Sequence, residues 1–333
     1  MNLRRIGAVV VVMGLAVAAC GKAAEVVAPR VAVREAAQST FDGNQGRFRL
    51  SLVGDEAAIY GLLEPGDEDR QFLDALLGSS VTVSMDGGDE GTLDDDRFAL
   101  EVDLGDVDRA IELRVVDKTM YVRGDVAGLV RLFEAEAGNL TDIVNDAQQA
   151  GLDFVADAVT GKWLSFDLAP LEAMAAAGAS PQGGGLPSLG APQLQQVLDA
   201  VSATFGEDVD VKRLGQEDAG QHYRLTVPLR RVYERLAPVF GDLFSMPGLV
   251  PPPATEVPDR SVVFDVWTDD GRIRRAELDL GQFADETPSG RVALRVDFES
   301  LDGDIKAPDG AVEVNVMEIL GGLMSGVGAA FPS

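Results

Sequence analysis

The sequence predicts an α+β protein organised on antiparallel sheet, and three observations carry the prediction. Apolar and polar residues alternate over long runs. Val262, Phe264 and Val266 stand among Ser261, Asp265 and Thr268, and Val292, Leu294, Val296 and Phe298 stand among Arg291, Arg295 and Asp297. Period two is the pattern of a strand with one dry face and one wet face. Turn signals separate the runs, as at Asp269-Asp270-Gly271, where glycine accepts the positive φ of a tight hairpin. Between the strand runs lie apolar residues at helical spacing, such as Val126, Leu129, Val130 and Phe133. A sheet with one dry face must cover something apolar.

Residues 1–20 read MNLRRIGAVVVVMGLAVAAC. Arg4 and Arg5 make a basic start, Ile6 to Val17 an apolar core, and Ala18 and Ala19 a small-residue approach to Cys20. This is a secretory signal, too short to persist as a spanning helix. It resembles the bacterial lipoprotein signal, with Val17-Ala18-Ala19-Cys20 at the place of the lipobox. That resemblance implies diacylglycerol on the Cys20 thiol, acyl chains such as palmitate, and cleavage before Cys20. The alternative is a plain signal peptide with a chance cysteine. Against it, Cys20 is the only cysteine of 333 residues and falls at the cleavage site. Two or more acyl chains anchor stably where one does not. The expected organisation is then a signal peptide over residues 1–19 and an acylated tether over 20–40, with room for a short helix. A single α+β domain over 41–322 and a flexible tail over 323–333 follow.

Within the body, Phe48, Leu50 and Leu52 predict the first strand, and Phe72 to Leu77 a helix. Val81, Val83 and Met85 predict the next strand, then Phe98, Leu100, Val102 and Leu104, then Ile111, Leu113 and Val115. A turn at Asp117-Lys118 leads to a strand with Met120 and Val122. The helix over Val126–Phe133 ends near Gly138, and Asn139 is placed as N-cap of another. That helix carries Leu140, Ile143, Val144, Ala147, Phe154 and Val155 and is interrupted by Gly151. Gly161 to Phe166 is extended, and residues 175–192 form a Gly/Pro-rich flexible loop. A helix starts at Pro192, strands run through Val209–Val211 and Tyr223–Val227, and a helix spans Val232–Phe240. Residues 245–258 are Pro-rich and irregular before the 261–298 meander.

Composition excludes several functions. With 28 basic against 55 acidic residues and a net charge of −27, the surface repels phosphate backbones, so no nucleic-acid partner is expected. One cysteine and one histidine exclude an intrachain disulfide and a Cys/His zinc cluster. No Gly-x-Ser-x-Gly elbow, Ser-x-x-Lys pair or Walker loop occurs. Asp86, Asp89 and Asp94-Asp95-Asp96 lack calcium-loop spacing. His222 is read as a surface residue on the polar side of its strand, and Trp163 and Trp267 as packing on the sheet. No metal, no cofactor and no catalysis are expected; a hydrolase has no motif behind it.

The segments TMYVRGDVAGLVRLF, GKWLSF, YRLTVPL and VVFDVWTDDGRIRRAELDL stand in that order behind the lipobox. The whole resembles the actinobacterial lipoproteins of the LppX/LprG group and, more distantly, the LolA-type lipoprotein chaperones, over residues 48–318. The resemblance implies a large curved antiparallel sheet, a partial barrel, with amphipathic helices on its concave face and an apolar cavity between. It also implies carriage of lipids or acyl chains, and Cys20 is the family residue that carries over. Candidate cavity-lining residues are Phe98, Leu100, Val102, Leu113, Val115, Val262, Phe264, Val266, Leu294 and Val296. The expected protein is a monomer on the outer face of the cytoplasmic membrane, held through acylated Cys20, with a lipid or acyl-chain ligand. The alternative is a non-catalytic surface lipoprotein with a filled core that binds a protein partner. The same alternation serves a packed core and a lipid pocket.

Overall fold

The structure is a computed structural model that describes residues 29–41, 45–63, 70–87, 96–132, 137–149, 151–170, 209–234, 253–284 and 290–315. The signal, Cys20, the 175–192 loop, the helix expected after Pro192 and the 323–333 tail lie outside the described residues. The helices are α1 (Pro29–Phe41), α2 (Glu56–Leu63), α3 (Arg70–Leu77), α4 (Val126–Leu132), α5 (Ala137–Gln149) and α6 (Phe154–Val159). The strands are β1 (Gln45–Gly54), β2 (Ser80–Gly87), β3 (Asp96–Leu104), β4 (Val107–Val116), β5 (Thr119–Gly124) and β6 (Leu164–Asp167). They continue with β7 (Asp210–Glu217), β8 (Gly220–Pro228), β9 (Ser261–Asp269), β10 (Arg272–Asp279), β11 (Val292–Glu299) and β12 (Val312–Glu313). Among the described residues these twelve strands make one large, open, mostly antiparallel sheet, so the α+β class is the predicted one. The chain divides into two compact units: residues 1–46, 53–64 and 179–299, and residues 47–52, 65–178 and 300–333.

In the first unit β8, β9, β10 and β11 form an antiparallel meander, with β7 paired outside β8. The β9–β10 turn has φ of 48° at Asp270 and 70° at Gly271, the paired left-handed conformation that the sequence signal predicts. Register places Tyr223, Leu225 and Val227 opposite Val266, Phe264 and Val262, and Val266 and Phe264 opposite Ala276 and Leu278. All of these are buried. Helix α1 packs on β10, β7 and β9 through Val33, Ala36 and Ala37, which recur at helical spacing and are buried. The Thr40 hydroxyl accepts the Ile273 N–H at 2.8 Å, where the β9–β10 register shifts. The short helix for which the sequence leaves room within residues 20–40 lies at the end of that stretch. Pro29–Phe41 is a docked helix, because its apolar stripe finds the sheet.

In the second unit β2 to β6 form a second antiparallel meander, and β12 lies parallel to β6. The β4–β5 turn carries φ of 49° at Asp117 and 60° at Lys118. Helix α4 packs on β4, and α6 packs on β5 and β6. The stripe read as one helix from Leu140 to Val155 is two, α5 and α6, parted at Gly151 with φ of 78°. Asn139 lies inside α5 and is not its cap.

Candidate functional site

In the second unit, strand register assembles the predicted apolar residues into rows. Met85, Phe98, Val115, Met120 and Phe166 stand opposite one another in succession across β2 to β6. Val83, Leu100, Leu113, Val122 and Leu164 form the next row, and Val81, Val102, Ile111 and Gly124 the third. No polar side chain interrupts these rows. At about 4.8 Å between strands, five strands span about 19 Å. On β1, Arg47 and Arg49 reach Glu101 at 3.9 Å and Asp103 at 3.5 Å on the polar side. Alternation therefore puts half-buried Phe48, Leu50 and Leu52 on the apolar side.

This face is not sealed. Of the three rows only Leu164 is buried; Met85 and Ile111 are each 40% exposed, and the other side chains are half-buried. The reverse face, polar by sequence, is the covered one. Ala99 and Val116 cluster there with Ile305, against Tyr121 and Leu301. Arg114 donates to the Lys306 carbonyl at 3.1 Å, fixing the residue 300–315 segment over the strands.

Several polar groups of this reverse face are paired, although Arg97 Nε is buried there without a hydrogen-bond partner. Ser80 donates to Asp103 Oδ2 at 2.8 Å, and the Arg109 N–H donates to Asp103 Oδ1 at 2.9 Å. Burial alone would push the Asp103 carboxyl up. Those two donors and the Arg49 and Arg109 charges outweigh it and hold the carboxyl below the ordinary range. Glu112, 1% exposed, pairs with Arg123 directly opposite and with Arg114 at 3.4 Å. Both guanidiniums lie over Trp163, at 4.9 and 5.1 Å from the ring centre. The first unit repeats the device: Glu277 is buried between Arg295, at 2.7 Å, and Arg291.

The predicted lining residues therefore fall into two groups. Phe98, Leu100, Val102, Leu113 and Val115 come together on the half-open face of the second unit. Val262, Phe264 and Val266 are 0%, 4% and 2% exposed in the core of the first unit, where Leu294 and Val296 are half-buried. The sequence reading missed the cover formed by residues 300–315. Its larger apolar residues are Leu301, Ile305, Val312 and Val314, two isolated pairs too short to mark an element.

His222 departs from expectation. It is 7% exposed, with its ring stacked on Trp267 at 4.4 Å and an interplanar angle of 13°. Nδ1 lies 2.7 Å from Glu217 Oε1 and Nε2 lies 3.1 Å from Asp265 Oδ1. Trp267 Nε1 donates to Glu217 Oε2 at 2.9 Å, and Arg224 donates to both Asp265 oxygens, at 2.9 and 3.1 Å. A polar residue on the polar side of a strand was read as solvated; here charged neighbours and an indole ring enclose it. Hydrogen bonds from Trp267 and His222 hold the Glu217 carboxyl low. Burial would raise that of Asp265, but hydrogen bonds from Arg224 and His222 bring it below the ordinary range.

Among the described residues no group of three or more His, Cys, Asp or Glu side chains is placed to hold a metal. No described helix is long and apolar enough to cross a membrane. No protein-family profile matches the chain. No curated protein matches it either. Among solved structures, the Mycobacterium tuberculosis lipoprotein LppX is similar at 13% identity and a TM-score of 0.34, covering 85% of this chain and all of that one.

Proposed function

We propose that the protein is a membrane-anchored, extracytoplasmic lipoprotein that binds lipid acyl chains on the apolar face of β2 to β6. The anchor is acylated Cys20. The observation that carries the binding reading is the uninterrupted, half-exposed apolar surface of three register-aligned rows. In a filled core such rows would be sealed as Val262, Phe264 and Val266 are. Leaving them half-exposed costs free energy that a bound alkyl chain recovers, at about 0.8 kcal/mol per CH₂ buried. With no charged or polar side chain in the rows, the face suits hydrocarbon and leaves a headgroup to the rim or to solvent. The role is carriage rather than turnover: the rows hold no nucleophile, acid or base.

The experiment compares the natural acylated protein with a soluble Cys20→Ser form by native mass spectrometry and solvent extraction. A discrete mass excess on the soluble form, released as lipid and lost in Leu113→Asp, is the expected result. A bare polypeptide mass that also takes up no added fatty acid or phospholipid sinks the carrier reading. The second reading, a protein-binding surface, has Met85 and Ile111 in its favour, both exposed on the same face. It becomes the stronger one in that event.

A further inference from the structure

The His222 cluster lies on the polar face of the first unit and has no part in the lipid reading. We propose that His222 is a proton-operated latch: doubly protonated, it ties Glu217 of β7 to Asp265 of β9, and loss of one proton loosens the Glu217 end of β7. Both ring nitrogens sit at hydrogen-bond distance from carboxylate oxygens, 2.7 and 3.1 Å. A neutral imidazole owns one N–H, and an ionised carboxylate only accepts, so only the imidazolium satisfies both contacts. The neutral ring turns one nitrogen lone pair toward a carboxylate oxygen, which repels it.

The charges facing the ring agree. Glu217 comes from β7, Asp265 from β9, and Arg224 from His222's own strand, β8. Arg275 of β10 stands opposite Trp267 but is engaged with Asp297 at 2.7 Å. Two carboxylates against one guanidinium leave one negative charge beside the buried His222 ring, which the imidazolium balances, while the Glu217 and Arg224 side chains reach solvent. Mechanically, β7 is the last strand in the sheet order and pairs with β8. Glu217 is its final residue, so this carboxylate reaches past β8 to β9 through Trp267 and His222. The Trp267 N–H stays on Glu217 when the proton leaves, so loosening is confined to the end of β7.

The chain has one histidine, so its ring signals in NMR are unambiguous. Ring-nitrogen shifts of the full chain are followed over a pH series run from acid to alkaline. Both nitrogens are expected protonated at the acid end. Amide exchange at residues 213–217, corrected for its intrinsic pH dependence, should be about tenfold faster past the transition. Exchange in β10 should stay unchanged. His222→Phe keeps a flat ring on Trp267 and removes both N–H groups. It should show the fast exchange at every pH. One nitrogen unprotonated throughout, or the same pH step in His222→Phe, overturns the latch. Should the variant not fold, the wild-type ring titration and exchange step decide alone.

Discussion

The two units carry apolar faces written in the same alternation and treat them oppositely. In the first, Tyr223, Leu225, Val227, Val262, Phe264, Val266, Ala276 and Leu278 are buried, and α1 packs against the same strands. In the second, Phe98, Leu100, Val102, Leu113 and Val115 are half-buried, while on the reverse face Ala99 is sealed beside Ile305 and Glu112 is buried with its arginine partners. Binary pattern states which residues share a face. It does not state which face is covered. A polar reverse can be buried when each group is paired, as Ser80 is to Asp103 and Glu112 to two arginines.

The sharpest way to break this comparison is to truncate matched aromatics. Phe264→Ala should cost about 3–5 kcal/mol, the loss expected of a sealed core phenylalanine. Phe98→Ala should cost about 1 kcal/mol, because its side chain already reaches solvent. Urea unfolding of both variants measures the difference, and equal losses would mean that the two faces are energetically alike. Next, Ile305→Ala should cost about 2 kcal/mol by opening the cover over Ala99 and Val116. Faster amide exchange in β3 and β4, with β9 and β10 unchanged, would locate the damage.

Glu277→Ala comes third, at about 2 kcal/mol. It leaves Arg291 and Arg295 without their buried partner, and their side chains, 52% and 28% exposed, turn partly to water. Glu112→Ala should behave alike, since Arg114 and Arg123 are also partly exposed. A clear difference between the two variants would show that the shared device is not equivalent in the two units.

The smallest effect is on acid. The carboxyls of Asp103, Asp265 and Glu217 are all held below their ordinary values. Their contribution is therefore full above the unfolded values of 3.8 for Asp and 4.5 for Glu, and fades as pH falls through the lower folded values. Melting temperature followed downward from pH 5 should drop more steeply in the wild type than in Asp103→Asn. Parallel curves would remove Asp103 from the account.

Much of the architecture was legible in the residues alone. Side chains alternate along an extended chain because of local backbone geometry, so the strands of both meanders and the residues sharing a face of each could be read directly. The hairpins at Asp117-Lys118 and Asp270-Gly271 were legible for the same local reason: few residues accept the left-handed conformation that such turns require. His222 was misread because its enclosure depends on Glu217, Trp267 and Asp265, gathered from β7 and β9. Only the tertiary structure decided which faces are covered. That depends on Pro29–Phe41 meeting strands more than two hundred residues later, and on residues 300–315 meeting Ala99, Val116 and Tyr121. Contacts of that sequence separation leave no periodic mark, because shape and pairing select them and no local backbone repeat does.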